Sequence, residues 1–322
     1  MRYVAVIAFV IACGDGGAAV QDAAIDTAPQ DAATDPDADA PPTGHYVIDR
    51  VNLPTSSALA RTYAFDLDNN TSPDNALGQL IANLPVGLGL YGQNATTAAI
   101  DRGDVIMLAD VGADDYVNDP MVTFTLYQGE NPMPMPCSSA QDPVCRRHLA
   151  GTGSFSINAA APIDPRLSGS IGGGQLSAGP GHLTVQLTFA DSPTITVTLL
   201  SARADLTSTT ATLSGRIGGA ISPTDVTTKI IPALSDGFQA IVAQECTMLS
   251  NPPSCGCPQS SRGEMVKAQF DTNQDCNISV GEVQSDSLVS GLLAPDVTVE
   301  SMQAVSFAFG LHAVTGAFTD PQ

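Results

Sequence analysis

Two stretches near the middle of the chain constrain its fold most: HLTVQLTFA at residues 182–190 and TITVTLLSARADL at residues 194–206. In the first, Leu183, Val185, Leu187 and Phe189 alternate with Thr and Gln; in the second, Ile195, Val197 and Leu199 alternate with Thr. A period of two in β-branched and aromatic residues is the pattern of a strand with one face in a core and one face wet. MVTFTLYQG repeats it, with Val122, Phe124 and Leu126 on one face. HYVIDRV, TYAFDL, DVIMLADV, RLSGSIGGGQL, TATLSGRI and the closing AVSFAFGLHAVTGAF read as further strands. Many short amphipathic strands predict an antiparallel sandwich or barrel-like core.

Helical spacing appears in two places. DNALGQLIANL puts Leu77, Leu80, Ile81 and Leu84 on one face, with Asp74 placed to cap it. In the last third, DVTTKIIPALSDGFQAIVAQECTML reads as one helix broken at Pro232 or as two in sequence. SRGEMVKAQF is a short helix, and VGEVQSDSLVSGLLA another, stopped by Pro295. The expected class is α+β: one β-rich domain over residues 45–322, with a helical, disulfide-rich C-terminal insert.

The N-terminus reads as an export signal. Arg2 precedes YVAVIAFVIA, a run too short to anchor stably in a bilayer. It ends in VIAC, which resembles a bacterial lipobox. That resemblance implies a leader over residues 1–12 and a lipid on Cys13. Residues 14–44 carry seven Asp, no basic residue and little to bury, so residues 13–44 are expected to form a lipid anchor and disordered acidic tether. The whole chain sets 33 Asp and Glu against 12 Lys and Arg, a net charge of −21. Such a field repels nucleic acid and attracts cations. The implied site is the cell envelope, with Gly14 after the cysteine pointing to the outer membrane and the membrane as a partner through Cys13.

Seven cysteines leave six once Cys13 is lipidated. Cys137 and Cys145 flank a local loop and are expected to pair. Cys246, Cys255, Cys257 and Cys276 can pair in three ways, of which Cys246–Cys255 with Cys257–Cys276 is the expected one. A zinc site is disfavoured by the C-x-C spacing and by export.

The sequence DTNQDCNISVGE, residues 271–282, spaces oxygen side chains by two and closes on a glutamate. A hard cation such as Ca²⁺ takes six to eight oxygens, and a twelve-residue loop supplies them from positions 1, 3, 5, 7, 9 and 12. Here those are Asp271, Asn273, Asp275, the Asn277 carbonyl, Ser279 and Glu282. With helical flanks, residues 262–294 resemble an EF-hand. Position 6, where Gly is usual, is Cys276, and a disulfide there would hold the strained turn. A second stretch, DLDNNTSPD, places Asp66, Asp68, Asn70, the Ser72 carbonyl and Asp74 at positions 1, 3, 5, 7 and 9. It resembles the D-x-D-x-D-G calcium loops of β-rich extracellular proteins, although Thr71 replaces the Gly and no glutamate closes it. The plainer reading of both is a polar turn. The layout as a whole is similar to Asp-rich, calcium-loop lipoproteins of myxobacteria, through DLDNNTSPDNALG, CGCPQSS and FDTNQDCNISVGEV. That resemblance implies calcium and the envelope, and no activity.

The four histidines, His45, His148, His182 and His312, are dispersed, and His182 and His312 read as structural. No nucleophile elbow, phosphate loop or dinucleotide fingerprint occurs, and GSIGGGQ and GRIGGA sit in strand context as bends. The expectation is a non-enzymatic, lipid-anchored envelope protein whose β-rich domain is stabilised by calcium. The alternatives are a calcium-dependent module binding a glycan, a protein or a hydrophobic ligand, and a hydrolase assembled from distant segments.

Overall fold

The structure, a computed structural model, describes residues 43–85, 88–138, 145–189, 192–248 and 255–319. The leader, Cys13 and nearly all of the acidic tether lie outside the described residues.

Eight antiparallel strands close into a barrel: β1 (Thr43–Asn52), β2 (Met107–Gly112), β3 (Asn118–Met133), β5 (Leu167–Gly172), β6 (Gln175–Leu187), β7 (Ile195–Ser208), β8 (Thr212–Ile221) and β12 (Met302–Ala317). Two long-range pairings close it, β3 with β5 and β1 with β12. A short β4 (Gly153–Ile157) pairs antiparallel with β3 and parallel with β12. The core is a barrel, which resolves the choice left open between barrel and sandwich. The first strand starts at Thr43, two residues earlier than expected.

The alternation read from the sequence holds. Leu183, Val185, Val197 and Leu199 are fully buried, as are Val122, Phe124 and Leu126, while Ile195 is only half-buried. Ser201, with φ of 47°, marks a register shift in β7, after which Ala202, Ala204 and Leu206 resume the inward row. In β12 both faces are buried. Val305, Phe307, Phe309 and Leu311 join the main core, while Ala304 and Ala308 join a second cluster with Phe65, Leu67, Ala220, Val297 and Val299.

Helices pack on β12 and β1, and their buried Leu77, Leu80, Ile81, Ala99 and Ile100 belong to the main core cluster. Helix α1 (Ser57–Tyr63) and α2 (Ala76–Asn83) lie against β12, and α3 (Leu88–Arg102) against β1. Gly310 has to be small: a Cβ there would sit 2.8 Å from the Tyr63 ring. TYAFDL, expected as a strand, is instead the end of α1 followed by a single bridge between Phe65 and Asp74. Its alternation reflects Phe65 and Leu67 facing the outer wall, not a ladder.

Strand β1 ends opposite Gly310, so the β12 edge beyond it lacks a neighbouring strand. Side chains take over. Asn75 accepts from Ala308 N at 2.9 Å and donates to Ala308 O at 3.0 Å and Ala60 O at 2.9 Å. Asp296 accepts from Ser306 N at 2.8 Å, and β11 (Val297–Val299) completes the edge. Asn75 also caps α2, accepting from Gly78 N at 3.1 Å. The cap is therefore Asn75, not Asp74: the helix begins one residue later, and Asp74 is used elsewhere.

In the C-terminal third, a short helix α4 (Pro223–Asp225) runs through a π-helical turn (Val226–Ile230) into α5 (Ile231–Glu245), with Pro232 in its first turn. Then come the two-residue strands β9 (Thr247–Met248) and β10 (Cys255–Gly256), α6 (Arg262–Phe270), α7 (Val280–Ser285) and α8 (Ser287–Leu292). The last two were expected as one helix; Asp286 divides them by capping α8. Three disulfides join Cys137–Cys145, Cys246–Cys257 and Cys255–Cys276. The first matches expectation and the other two exchange partners. The ladder explains it: Thr247 opposes Gly256, which puts Cys246 across from Cys257 and leaves Cys255 for the loop.

All the hydrogen-bonding capacity of the Asn75 amide is spent on four backbone groups, in a residue only 5% exposed. Replacing it with Ala strands several of them, at about 1–3 kcal/mol for each group left unpaired. Urea denaturation of Asn75→Ala should show a loss of about 3 kcal/mol or more. Asn75→Asp, which keeps the acceptor and loses the donors, should fall nearly as far.

Candidate metal centre

The loop between α1 and α2 folds around its own carboxylates. Thr71 N donates to Asp66 Oδ2 (3.0 Å), Asn70 N to Asp68 Oδ1 (3.1 Å) and Ser72 N to Asn70 Oδ1 (2.7 Å). Asn69 and Thr71 both adopt left-handed backbone, with φ of 60° and 72°. For a β-branched residue such as Thr71 that is a strained conformation, costing on the order of 1–2 kcal/mol.

The loop between α6 and α7 repeats this pattern position by position. Cys276 N donates to Asp271 Oδ2 (3.0 Å), Asp275 N to Asn273 Oδ1 (2.9 Å) and Asn277 N to Asp275 Oδ1 (2.8 Å). Gln274 and Cys276 have φ of 60° and 66°, matching Asn69 and Thr71. Cys276 is held in that conformation by its disulfide to Cys255. Ile278 is buried, its N–H donates to Gln239 Oε1 (2.7 Å), and its carbonyl accepts from Ser235 Oγ (2.7 Å). The loop is thus fastened to α5, and Phe270 at its entrance stacks on Phe238 of the same helix.

The two loops differ in what their carboxylates face. In the first, one oxygen each from Asp66, Asp68 and Asp74 lies within 4.8 Å of the others, the one such acidic group among the described residues. Asp74 Oδ2 accepts from Leu67 N (3.0 Å), which folds the loop's exit back on its entrance. Asp66 Oδ1 is buried with no hydrogen-bond partner among the described residues. A buried, unpartnered carboxylate oxygen beside two further carboxylates fits a hard cation with oxygen ligands. Burial pushes the Asp74 carboxyl up to about 6, the Leu67 hydrogen bond opposes this, and Asp68, Asp296 and Asp66 add to it by like-charge repulsion.

In the second loop Asp271, Asp275 and Glu282 do not form such a group. Glu282 Oε1 accepts from Thr272 N (2.9 Å) and Oγ1 (3.1 Å) and from Asn273 N (3.3 Å). Its Oε2 accepts from Ser279 N (3.0 Å) and Oγ (2.8 Å), in a capping box that starts α7. Burial raises the Glu282 carboxyl, but these hydrogen bonds from Ser279, Asn273 and Thr272 outweigh it and hold it below the usual range. All six domain cysteines are in disulfides, leaving no thiolate for zinc.

Beside the first loop, on the outer wall of the barrel, lies a groove of about 620 Å³ that the sequence reading missed. Arg61, Arg203 and Arg216 line it together with Asp66. Residues 61 and 203 are more than 140 positions apart in sequence, and only the barrel wall brings their elements together.

The chain matches no protein-family model, no curated protein and no solved structure, so the reading of this site rests on its own geometry.

The Asp74 carboxyl makes a signed prediction. Its ordinary value is 3.8 and its folded value is about 6. Between those pH values the folded state holds the proton and the unfolded state does not, so this group's contribution to stability falls as pH rises through that window. Thermal melts in chelator should show a flatter dependence between pH 4 and 6 for Asp74→Asn than for the parent. Parallel curves would rule out the assignment.

Proposed function

We propose that this is a non-enzymatic, calcium-stabilised β-barrel protein of the bacterial envelope, tethered through Cys13. Ca²⁺ would be held by the loop at Asp66, Asp68, Asn70, Ser72 and Asp74, and by an EF-hand-like loop at Asp271, Asn273, Asp275, Asn277, Ser279 and Glu282. One observation carries the reading. Two loops unrelated in position share one hydrogen-bonding scaffold with a left-handed sixth residue, and in the first the carboxylates converge around an unpartnered oxygen. A polar turn has no reason to gather three like charges at the expense of stability; a cation site does.

Calcium here stabilises by binding the folded state alone. For a dissociation constant of about 0.1 mM and millimolar calcium, the gain is about 1.4 kcal/mol per site. Affinities of about 10⁻⁴–10⁻³ M are those of extracellular modules.

A hydrolase gains little support. His182 does sit near a serine and an acid, but Glu300 lies between them, bonding His182 Nε2 (2.9 Å) and Ser201 Oγ (3.4 Å). A nucleophile–base–acid relay needs the histidine in the middle. A hydrophobic ligand fares no better: the apolar cavity between Leu53, Leu88 and Phe238 holds about 20 Å³, room for one water.

Calorimetric titration of the metal-free chain with calcium tests the proposal, alongside Asp66→Ala and Asp271→Ala. Two sites are expected in the parent and one in each variant, with a rise of a few degrees in melting temperature at millimolar calcium. No heat, together with a melting temperature indifferent to calcium and chelator, would return both loops to the status of polar turns.

A further inference from the structure

The groove beside the first loop has chemistry of its own. Its walls come from α1, the loop, and strands β6, β7 and β8. Arg216 is committed to the fold: it donates to Ala64 O (2.6 Å) and Thr62 O (3.1 Å), pairs with Asp205 (2.9 Å) and lies over the Phe65 ring. Arg61 and Arg203 are not. Neither has a carboxylate or hydrogen-bond partner from its side chain among the described residues, and Arg203 is half-buried on the barrel wall. Acids outnumber bases in this chain by 33 to 12; Arg102, Arg146, Arg166 and Arg262 each have a carboxylate partner, and among the described arginines without one Arg50, Arg61 and Arg147 are exposed, whereas Arg203 is half-buried. A partly desolvated guanidinium left without an anion is unfavourable unless something from solution completes it.

We propose that Arg61 and Arg203 hold the carboxylate of an acidic saccharide, with the ligand's hydroxyls donating to Asp205 on the groove wall. The guanidinium fork matches a planar carboxylate in two hydrogen bonds. Asp205, which already accepts from Ser177 Oγ (3.0 Å), offers acceptor oxygens at the groove wall, which suit hydroxyl groups. The overall charge of −21 opposes ligands with many anionic groups, such as an acidic peptide, more than one that brings a single carboxylate. Binding through these arginines does not require the calcium reading, although metal at Asp66 would reduce the negative field beside the groove.

The test is calorimetric titration of the full chain at millimolar calcium with glucuronate, glucose and trialanine, repeated for Arg203→Gln and Arg61→Gln. Glucuronate should bind, glucose and trialanine should bind at least tenfold more weakly, and each substitution should weaken glucuronate at least tenfold. Arg61 is exposed on a helix surface, so its variant reports on binding even where Arg203→Gln disturbs the barrel. No glucuronate binding, binding unchanged in both variants, equal binding of glucose, or preference for trialanine would each overturn the proposal. A chain that takes up calcium but ignores glucuronate refutes this proposal alone; one that binds glucuronate through both arginines but takes up no calcium refutes the calcium reading alone.

Discussion

The loop, the helices and the barrel are joined through one amide. The β12 edge opens where β1 ends, and an open edge inside a covered wall would leave backbone donors and acceptors unpaired. Asn75 closes it by acting as one residue of a strand: it takes both hydrogen bonds of Ala308 that a neighbouring backbone would have made. The same side chain caps α2 and binds the end of α1. Asp74 is its neighbour in sequence, so the position of the acidic cluster is set by where the barrel runs out of partners. The polar loop is thereby seated on a rigid wall, which is how a site of defined geometry is normally held.

Charge is the second constraint. Most acids among the described residues are at least partly exposed, but several are buried, and two of these, Asp74 and Asp271, lie in the loops. They are tolerated for different reasons. Asp271 has both oxygens satisfied by loop amides of Asp275 and Cys276. Asp74 has one donor among the described residues, the Leu67 N–H, and burial first and then the carboxylates it faces raise its proton affinity. The backbone adds to it, because Thr71 is held left-handed without the disulfide that supports Cys276.

Much of this was legible in the sequence, and the failures have physical causes. Strands announce themselves by alternation, so β3, β6, β7 and β12 could be read directly. Closure could not be, because the β3–β5 and β1–β12 pairings depend on curvature that no single strand encodes. The stretch around Phe65 misled because an outer-wall residue and a core-strand residue leave the same apolar mark. The cap was misplaced by one because Asp74 and Asn75 have equal cap propensity, and only the β12 edge distinguishes them: it needs a donor as well as an acceptor, which Asn has and a carboxylate lacks. The disulfides turned on a two-residue ladder too short to see in advance. The spacing of oxygen side chains in both loops was readable, since local sequence sets local hydrogen bonds. The arginine groove was not, since its residues meet only through the folded wall.

The two loops show how one local pattern can end in opposite electrostatic states. Their backbones agree at the fourth and sixth residues and in three successive side chain to backbone hydrogen bonds. What differs lies beyond the shared part. In the first, the chain supplies a third carboxylate at Asp74 with only the Leu67 amide donating to it, so the loop carries three close carboxylates and an Asp66 oxygen without a partner among the described residues. In the second, Glu282 arrives at the start of a helix, where free N–H groups and the Ser279 hydroxyl already meet its needs. A cation entering the first loop relieves repulsion. One entering the second has to draw Glu282 away from donors that hold it well, at a cost of about 1–3 kcal/mol for each hydrogen bond to charge that is given up. The loop that departs further from the familiar sequence pattern, lacking the closing glutamate as well as the glycine, is therefore the one whose carboxylate repulsion a cation would relieve more.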